Sequence, residues 1–247
     1  PDARWAWRDY SVIRLLDVQT GLQKTITRRS KYFTPDISEN GEWIAAVQSG
    51  ADDKSELHIL HTNTGDVIQK IKTADIAVFT DPKFIDASSL ITAVRLQDGR
   101  MALAKADIAT GSVERLTPLS YNVVGYPQVK NDTVYFTASY FGNDDLYAIP
   151  LSNKKIFKLN TTSLGKYYVN ASGNKITYSG FTAEGYQLQQ QAVEGNSWVE
   201  VDNESLQKPF ADYSLSNADN VQDILVSKAG KGNYSVKPYR KSTKLFN

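Results

Sequence analysis

Short segments of alternating apolar and polar residues, separated by glycine or polar turns, recur along most of the chain. The turns lie 41 to 46 residues apart, at Gly21, Gly65, Gly111, Lys154 and Gly195. Alternation over four to eight residues is typical of half-buried β-strands, and no stretch keeps the 3.6-residue period of an amphipathic helix. This repeat predicts an all-β fold, a β-propeller of four-stranded antiparallel blades with about five repeat units.

Proline marks the same position in three successive repeats, at Pro35, Pro82 and Pro127, and Val169 takes that position in the fourth. Because proline lacks a backbone N–H, it suits the first residue of a strand, so we expect each position to begin a blade's innermost strand. A strongly apolar second strand follows in each repeat, over residues 43–47, 90–96, 134–140 and 176–181.

The two ends of the chain depart from the repeat. The N-terminal stretch supplies only third and outer strands, so the first blade is predicted to be incomplete, with its missing strands either upstream or in the C-terminal stretch. We expect residues 1–202 to form the blades and residues 203–247 to form an extension that leads toward a following domain. Since the chain begins at Pro1, we expect it to be part of a longer protein.

Composition narrows the possible partners. The 247 residues, 41% of them hydrophobic, suffice for a substantial core. A formal net charge of +1 gives no overall field that would attract nucleic acid, and no nucleic-acid partner is predicted. The sequence has no cysteine, which excludes disulfides and thiolate chemistry, and no apolar run approaches the roughly 18 residues of a transmembrane helix.

Catalytic and metal-binding patterns are weak. The two histidines, His58 and His61, lie on a predicted strand, where residues three apart face opposite sides, so we expect neither a zinc site nor a catalytic triad. No G-x-S-x-G motif occurs, and no enzyme activity, metal or cofactor is predicted. The pairs Asp52-Asp53 and Asp144-Asp145 fit turn caps, with Ca²⁺ binding as the alternative. The segment 230–232 is interpreted as a hairpin turn, not a phosphate-binding loop.

The innermost strands of a propeller line its axial channel, and residues two apart on a strand face the same way. The residues flanking the aligned proline position are therefore predicted to face the channel: Thr34, Asp36, Asp81, Lys83, Tyr126, Gln128, Tyr168 and Asn170. A second set is predicted at the rim: Arg28, Arg29, Tyr32, Phe79 and Tyr167. The residues that directly follow Asp36, Lys83, Gln128 and Asn170 on these strands are expected to belong to the core between sheets: Ile37, Phe84, Val129 and Ala171.

Two interpretations of this polar and aromatic ring remain open. Any water-filled channel needs a polar lining, with no ligand at all. The combination of aromatic residues with arginine is also typical of protein interfaces, which favours a bound protein or peptide.

Near the N terminus, Trp5, Trp7 and Tyr10 alternate with polar residues, and we expect them to cover a blade edge.

The segment 33–47, FTPDISENGEWIAAV, followed by residues 57–65, resembles the TolB-like (WD40-like) repeat. The resemblance extends over residues 10–202 and implies a propeller, but not an activity, because tricorn-type and prolyl-oligopeptidase propellers carry a similar repeat. The flanks at 5–15 and 237–247 resemble large envelope proteins of Bacteroidetes. That resemblance implies a periplasmic or cell-envelope location for this domain and an association of the parent protein with the outer membrane.

Together these features predict a non-catalytic propeller domain of a bacterial cell-envelope protein that binds a protein or peptide at its funnel or rim. The alternative is an accessory propeller that gates substrate for a prolyl-oligopeptidase-like peptidase domain elsewhere in the parent chain. A hydrolase contained in this chain alone is disfavoured by the number and placement of the histidines.

Overall fold

The computed structural model describes residues 10–50, 54–159, 164–193 and 198–208. Compactness divides the chain into two units, residues 1–211 and 212–247, and every described residue lies in the first. Several predicted features fall outside the described ranges: Trp5, Trp7, Asp52, Asp53, Gly195, the turn at 230–232 and the basic segment 237–247. No helix in the described part of the chain is long and apolar enough to cross a membrane.

The described chain is almost entirely β-structure. An N-terminal hairpin consists of β1 (Arg14–Leu16) and β2 (Gln23–Thr25). Blade 1 consists of β3 (Tyr32–Ile37), β4 (Trp43–Ser49), β5 (Ser55–His61) and β6 (Val67–Ile71). Blade 2 consists of β7 (Ile76–Phe84), β8 (Ser89–Leu96), β9 (Met101–Asp107) and β10 (Val113–Arg115). Blade 3 consists of β11 (Val124–Lys130), β12 (Thr133–Ala138), β13 (Asp145–Pro150) and β14 (Phe157–Leu159). Blade 4 consists of β15 (Leu164–Ser172), β16 (Lys175–Thr182) and β17 (Gly185–Ala192).

Each sheet is an antiparallel meander, so the prediction of an all-β propeller is confirmed. The four blades and the two-stranded hairpin, which stands for the incomplete first blade, are close to the five repeat units that the turn spacing predicts. Glycine supplies the left-handed backbone at the turn at Gly65, where φ is +77° and an added Cβ would lie 2.4 Å from the carbonyl oxygen of Ile26.

The last strand does not take the expected place. The turn near Gly195 is predicted to deliver the outer strand of blade 4, but β18 (Trp198–Glu200) pairs with β14 and extends blade 3 instead. The Trp198 ring lies 5.8 Å from that of Phe157 and 6.2 Å from that of Tyr135, measured between centroids. This aromatic packing supports the pairing with blade 3.

The prediction that the aligned prolines begin their strands is wrong. They lie inside the strands, at a β-bulge. In blade 1, Phe33 pairs with Val47 and Asp36 with Ala45, so two residues, Thr34 and Pro35, oppose one. The same shift occurs in the inner strand of every blade, between Thr80 and Lys83, Gly125 and Gln128, and Tyr167 and Asn170. A bulge leaves its extra residue without a ladder bond, which explains why proline is accepted there.

Apolar clusters fill the spaces between neighbouring sheets. One lies between blades 1 and 2, one between blades 2 and 3, and one between blades 3 and 4. Of the four predicted core residues, Ala171 is buried, and Phe84 and Val129 pack partly buried against clusters. Ile37 is 47% exposed, because the hairpin beside blade 1 has no inner strand among the described residues to cover it.

A short helix follows the last strand. Helix α1 (Asn203–Gln207) is capped by Asp202, whose side chain accepts a hydrogen bond from the backbone N–H of Ser205. Its Leu206 is fully buried in the cluster between blades 2 and 3. Residues just beyond 202 therefore pack on the propeller, while the predicted domain boundary at 202 stays a prediction.

Candidate functional site

A cavity of about 330 Å³ lies where the inner strands of all four blades meet. Its lining consists of the bulge residues and their neighbours: Thr34, Pro35, Asp81, Lys83, Tyr126, Pro127, Gln128, Tyr168, Val169 and Asn170. Seven of the eight residues predicted to face the channel are therefore brought together around one space. The exception is Asp36.

The residue before each aligned position has a left-handed backbone. Thr34, Asp81, Tyr126 and Tyr168 have φ values of +46°, +50°, +52° and +55°. This conformation is unfavourable for a residue with a Cβ, by about 1–2 kcal/mol each. Its repetition in four blades aims four side chains at the same cavity, and strained backbone of this kind concentrates at functional sites.

Neighbouring bulges contact one another around the cavity. The backbone N–H of Asp81 donates to Oγ1 of Thr34 over 3.2 Å, and the backbone N–H of Tyr126 donates to the Asp81 carboxylate. The rings of Tyr126 and Tyr168 lie 4.5 Å apart. The four bulge residues thus form a continuous chain of contacts from blade 1 to blade 4.

Asp36 serves as a link between blades. Its Oδ1 lies 3.0 Å from Nζ of Lys83, and its Oδ2 accepts a hydrogen bond of 3.0 Å from the backbone N–H of Phe84. These contacts tie β3 to β7 below the bulge. They also commit the Lys83 ammonium group to Asp36.

The carboxyl group of Asp81 has a distinctive electrostatic environment. Burial raises its pKa above the usual value, in spite of the opposing effects of Lys83 and of the hydrogen bond from Tyr126. No cation of a described residue lies within ion-pair distance of it. Asp81 therefore places a poorly compensated negative charge at the cavity.

Aromatic side chains continue from the cavity across blades 3 and 4. Successive ring centroids lie 4.5 to 6.3 Å apart in the row formed by Tyr168, Tyr126, Tyr167, Tyr186 and Phe181. We call these five residues the aromatic row. Tyr168 and Tyr186 are 67% and 66% exposed, and Phe181 is 48% exposed. Together these rings expose a large aromatic surface to water, and an exposed apolar patch of this kind is typical of a binding site.

The Tyr167 hydroxyl group is fixed within this row. It donates a hydrogen bond to Oδ2 of Asp144, and this bond is the main reason that the Tyr167 pKa is raised to about 12. The hydroxyl therefore stays protonated at neutral pH, and Tyr167 lies beside the cavity, near its predicted place. Asp144 is held by this bond as well.

Asp145, the other member of the acidic pair, forms the junction between blades 3 and 4. Its carboxylate contacts the ammonium groups of Lys166, which is 1% exposed, and of Lys158 at 2.6 Å. Burial acts to raise the Asp145 pKa, but the two lysines outweigh it and hold the pKa below its usual value. The two lysines contact the carboxylate oxygens of Asp145 that would have to bind Ca²⁺ in the alternative interpretation of this acidic pair.

Two predicted rim residues lie in the core. Tyr32 is 8% exposed and donates to or accepts from Nδ1 of His58 over 2.9 Å, and Phe79 is fully buried. Both precede the bulge by two residues, on the strand face that packs against a neighbouring sheet. Arg28 and Arg29 are exposed, but neither lines the cavity.

The aromatic row includes two residues that the sequence analysis missed, Phe181 and Tyr186. They lie at facing positions of the pair formed by β16 and β17. The available signal was an aromatic residue on each side of the short polar segment 182–185, which ends in Gly185. His58 and His61 lie in β5, as expected.

Comparison with known proteins identifies the fold. No protein-family model and no curated protein sequence matches the chain. A crystal structure of TolB from Acinetobacter baumannii matches with a TM-score of 0.60 at 19% identity, over 76% of this chain and 47% of that one. A Mycobacterium tuberculosis puromycin-hydrolyzing peptidase matches with a TM-score of 0.58 at 13% identity, over 76% of this chain and 32% of that one.

A structure described as puromycin hydrolase has a TM-score of 0.58 at 12% identity and covers 75% of this chain. The chain corresponds to 47% of the TolB chain and to 31–32% of the two hydrolase chains. At these identities the likeness establishes the fold. The described part of the chain therefore has the fold of a TolB-like β-propeller.

Proposed function

We propose that the chain is a non-catalytic interaction domain that binds a peptide or an extended segment of a protein partner at the cavity formed by the four bulges. The observation that carries this proposal is that one cavity is lined by the same strained position of four successive blades. The bound segment lies along the aromatic row, and its cationic group faces Asp81.

The chemistry of the cavity supports a peptide. Tyr126 and Tyr168 offer rigid aromatic surface at low cost in side-chain entropy, and aromatic residues are enriched in the residues that dominate binding energy. Gln128 and Asn170 add neutral hydrogen-bonding groups, which suit a peptide backbone. The poorly compensated carboxylate of Asp81 favours a lysine, an arginine or an N-terminal amine.

A cell-envelope location and a bacterial origin belong to the same proposal. They rest on the resemblance of the flanks at 5–15 and 237–247 to envelope proteins and on the TolB-like fold, and the partner is then another envelope protein. Tagging the full-length parent protein and separating envelope from cytoplasmic fractions tests this part, and a cytoplasmic signal alone contradicts it.

Selection from a displayed peptide library tests the binding function. We expect the chain to enrich sequences that combine aromatic or proline residues with a basic group. Changing both Tyr126→Ala and Tyr168→Ala is expected to weaken the selected peptide at least tenfold, since each aromatic anchor contributes on the order of 1–2 kcal/mol. Tyr121→Ala, at a residue 65% exposed and outside the cavity, is the matched control. Unchanged affinity in the double variant contradicts the proposal.

A second candidate function is an accessory propeller that gates or orients substrate for a peptidase domain in the same parent chain. Two solved structures described as peptidase or hydrolase contain a portion of similar fold, and this observation favours it. The full parent sequence separates the two functions. A downstream G-x-S-x-G motif with later Asp and His residues supports the accessory role.

A further inference from the structure

A second cavity, of about 440 Å³, lies on blade 1 and shares no lining residue with the first. It is lined by residues of β4 to β7 and of the segments between them: Gln48, Gly50, Lys54, Ser55, Glu56, His58, Lys70, Lys72, Thr73 and Ile76. Ser55, His58 and Ile76 are buried, whereas the three lysines are exposed. The cavity is therefore lined by both exposed lysines and buried side chains.

Among the described residues of this cavity, positive charges outnumber negative ones. Glu56 is the one carboxylate in the described part of the lining, and its Oε1 lies 3.1 Å from Nζ of Lys72. Lys54 and Lys70 form no ion pair with any residue that the structure describes. Two lysines of the lining thus have no carboxylate partner in the described chain.

Both carboxylate oxygens of Glu56 are engaged by other groups. Its Oε2 lies 3.0 Å from Nε2 of His58, and Nδ1 of the same imidazole lies 2.9 Å from the Tyr32 hydroxyl oxygen. Because His58 is only 3% exposed, this arrangement fixes the Glu56 carboxylate between His58 and Lys72. Burial lowers the pKa of His58, so the imidazole adds no positive charge at neutral pH.

We propose that this cavity binds the phosphate group of a compact phosphorylated ligand, held by Lys54 and Lys70. A phosphate monoester carries a charge of about −1.5 to −2 at neutral pH, which matches the two lysines that have no ion-pair partner among the described residues. The cavity is larger than a phosphate ion requires. Gln48 and Thr73, which also line it, offer hydrogen bonds to the rest of the ligand.

Calorimetric titration of the full chain at low ionic strength tests the site, with pyrophosphate and glycerol 3-phosphate as soluble probes. We expect saturable binding of at least one probe, and roughly a tenfold loss of affinity in a Lys54→Gln/Lys70→Gln variant. The matched control is Lys130→Gln/Lys175→Gln, which removes the same charge from exposed lysines of blades 3 and 4. Thermal melting verifies that both variants are folded.

Sedimentation with phosphatidylcholine vesicles that contain phosphatidic acid identifies the source of the phosphate group. Binding to a soluble probe assigns the site to small soluble phosphate compounds, and binding to the vesicles alone assigns it to a lipid headgroup. Absence of saturable binding to every probe overturns the proposal, as does an equal loss of affinity in the control variant. Tyr126→Ala/Tyr168→Ala is expected to leave this binding unchanged, which separates it from the peptide-binding function.

Discussion

Asp145, at the junction of blades 3 and 4, is buried and Asp81 in blade 2 is half-buried, yet the pKa values of their carboxyl groups are shifted in opposite directions. Asp145 contacts two lysines, which hold its pKa below the usual value. Asp81 has Lys83 nearby, but that lysine pairs with Asp36, and burial raises the Asp81 pKa. The comparison separates a carboxylate that joins two blades from one that remains available at a cavity.

The surroundings of the two residues differ accordingly. Asp145 is buried, as is its partner Lys166 at 1% exposure, and it is not one of the residues that line the cavity at the four bulges. Asp81 occupies a bulge with a left-handed backbone and lines that cavity. Natural proteins accept local electrostatic and backbone cost where binding requires it, and this is the pattern expected of a binding position.

The largest effect is expected from Asp145→Asn. This change leaves the buried Lys166 ammonium group without a counter-charge, and breaking a buried pair in this way costs roughly 3–5 kcal/mol. Urea unfolding followed by circular dichroism measures the loss in the free energy of unfolding.

Asp36→Asn provides the matched comparison for Asp145→Asn. The side chains of Asp36 and Lys83 are 22% and 29% exposed, so solvent screens this pair and we expect a loss of about 1 kcal/mol. Equal losses in the two variants would contradict the distinction between a buried and a screened link.

Asp81→Asn is expected to act in the opposite direction. A raised pKa means that the folded protein disfavours the charged carboxylate, so its removal is expected to stabilise the fold at neutral pH by less than about 1 kcal/mol. The amide oxygen still accepts the hydrogen bond from Tyr126. The same variant is expected to lower the affinity for a cationic peptide. A free energy of unfolding below that of the wild type at neutral pH would contradict this interpretation.

The pH dependence of stability gives a smaller effect that sharpens the same comparison. Asp145, with its lowered pKa, contributes stability above the unfolded-state pKa of about 3.9, and this contribution is lost as the pH falls through the lower folded value. The difference between wild type and Asp145→Asn is therefore expected to shrink on acidification below about pH 4.

Asp81 behaves in reverse, because its folded pKa is raised. The advantage of Asp81→Asn is expected to be largest above that raised value and to vanish as the pH falls to about 3.9. Urea unfolding at a series of pH values distinguishes the two patterns. Parallel pH profiles for the two variants would contradict the opposite pKa shifts of Asp81 and Asp145.

The sequence predicted the propeller and the shared position of the cavity residues because both depend on local repetition. The spacing of turns such as Gly65 and Gly111 indicates the blades, and the aligned Pro35, Pro82 and Pro127 put the inner strands in register. The bulge itself was not predicted, because the missing N–H of proline is equally compatible with a strand start. That error did not change which residues flank the aligned position, since the bulge repeats in every blade.

Long-range packing explains what the sequence did not reveal. Tyr32 and Phe79 are chemically suited to a rim, but the face of each strand that packs on its neighbour is fixed only by the assembled sheets. The pairing of β18 with β14 depends on contacts of Trp198 with Tyr135 and Phe157, which are distant in sequence. The salt link from Asp36 to Lys83 likewise connects residues 47 positions apart.

The central claim is that the cavity at the four bulges is the binding surface. Its most direct test is a nuclear magnetic resonance titration of the isotope-labelled chain with a peptide selected from the library. The account predicts that the largest amide shifts occur at Thr34, Asp81, Tyr126 and Tyr168, with further changes along the aromatic row. Shifts confined to the outer strands, or to the cavity beside Lys54 and Lys70, would contradict it.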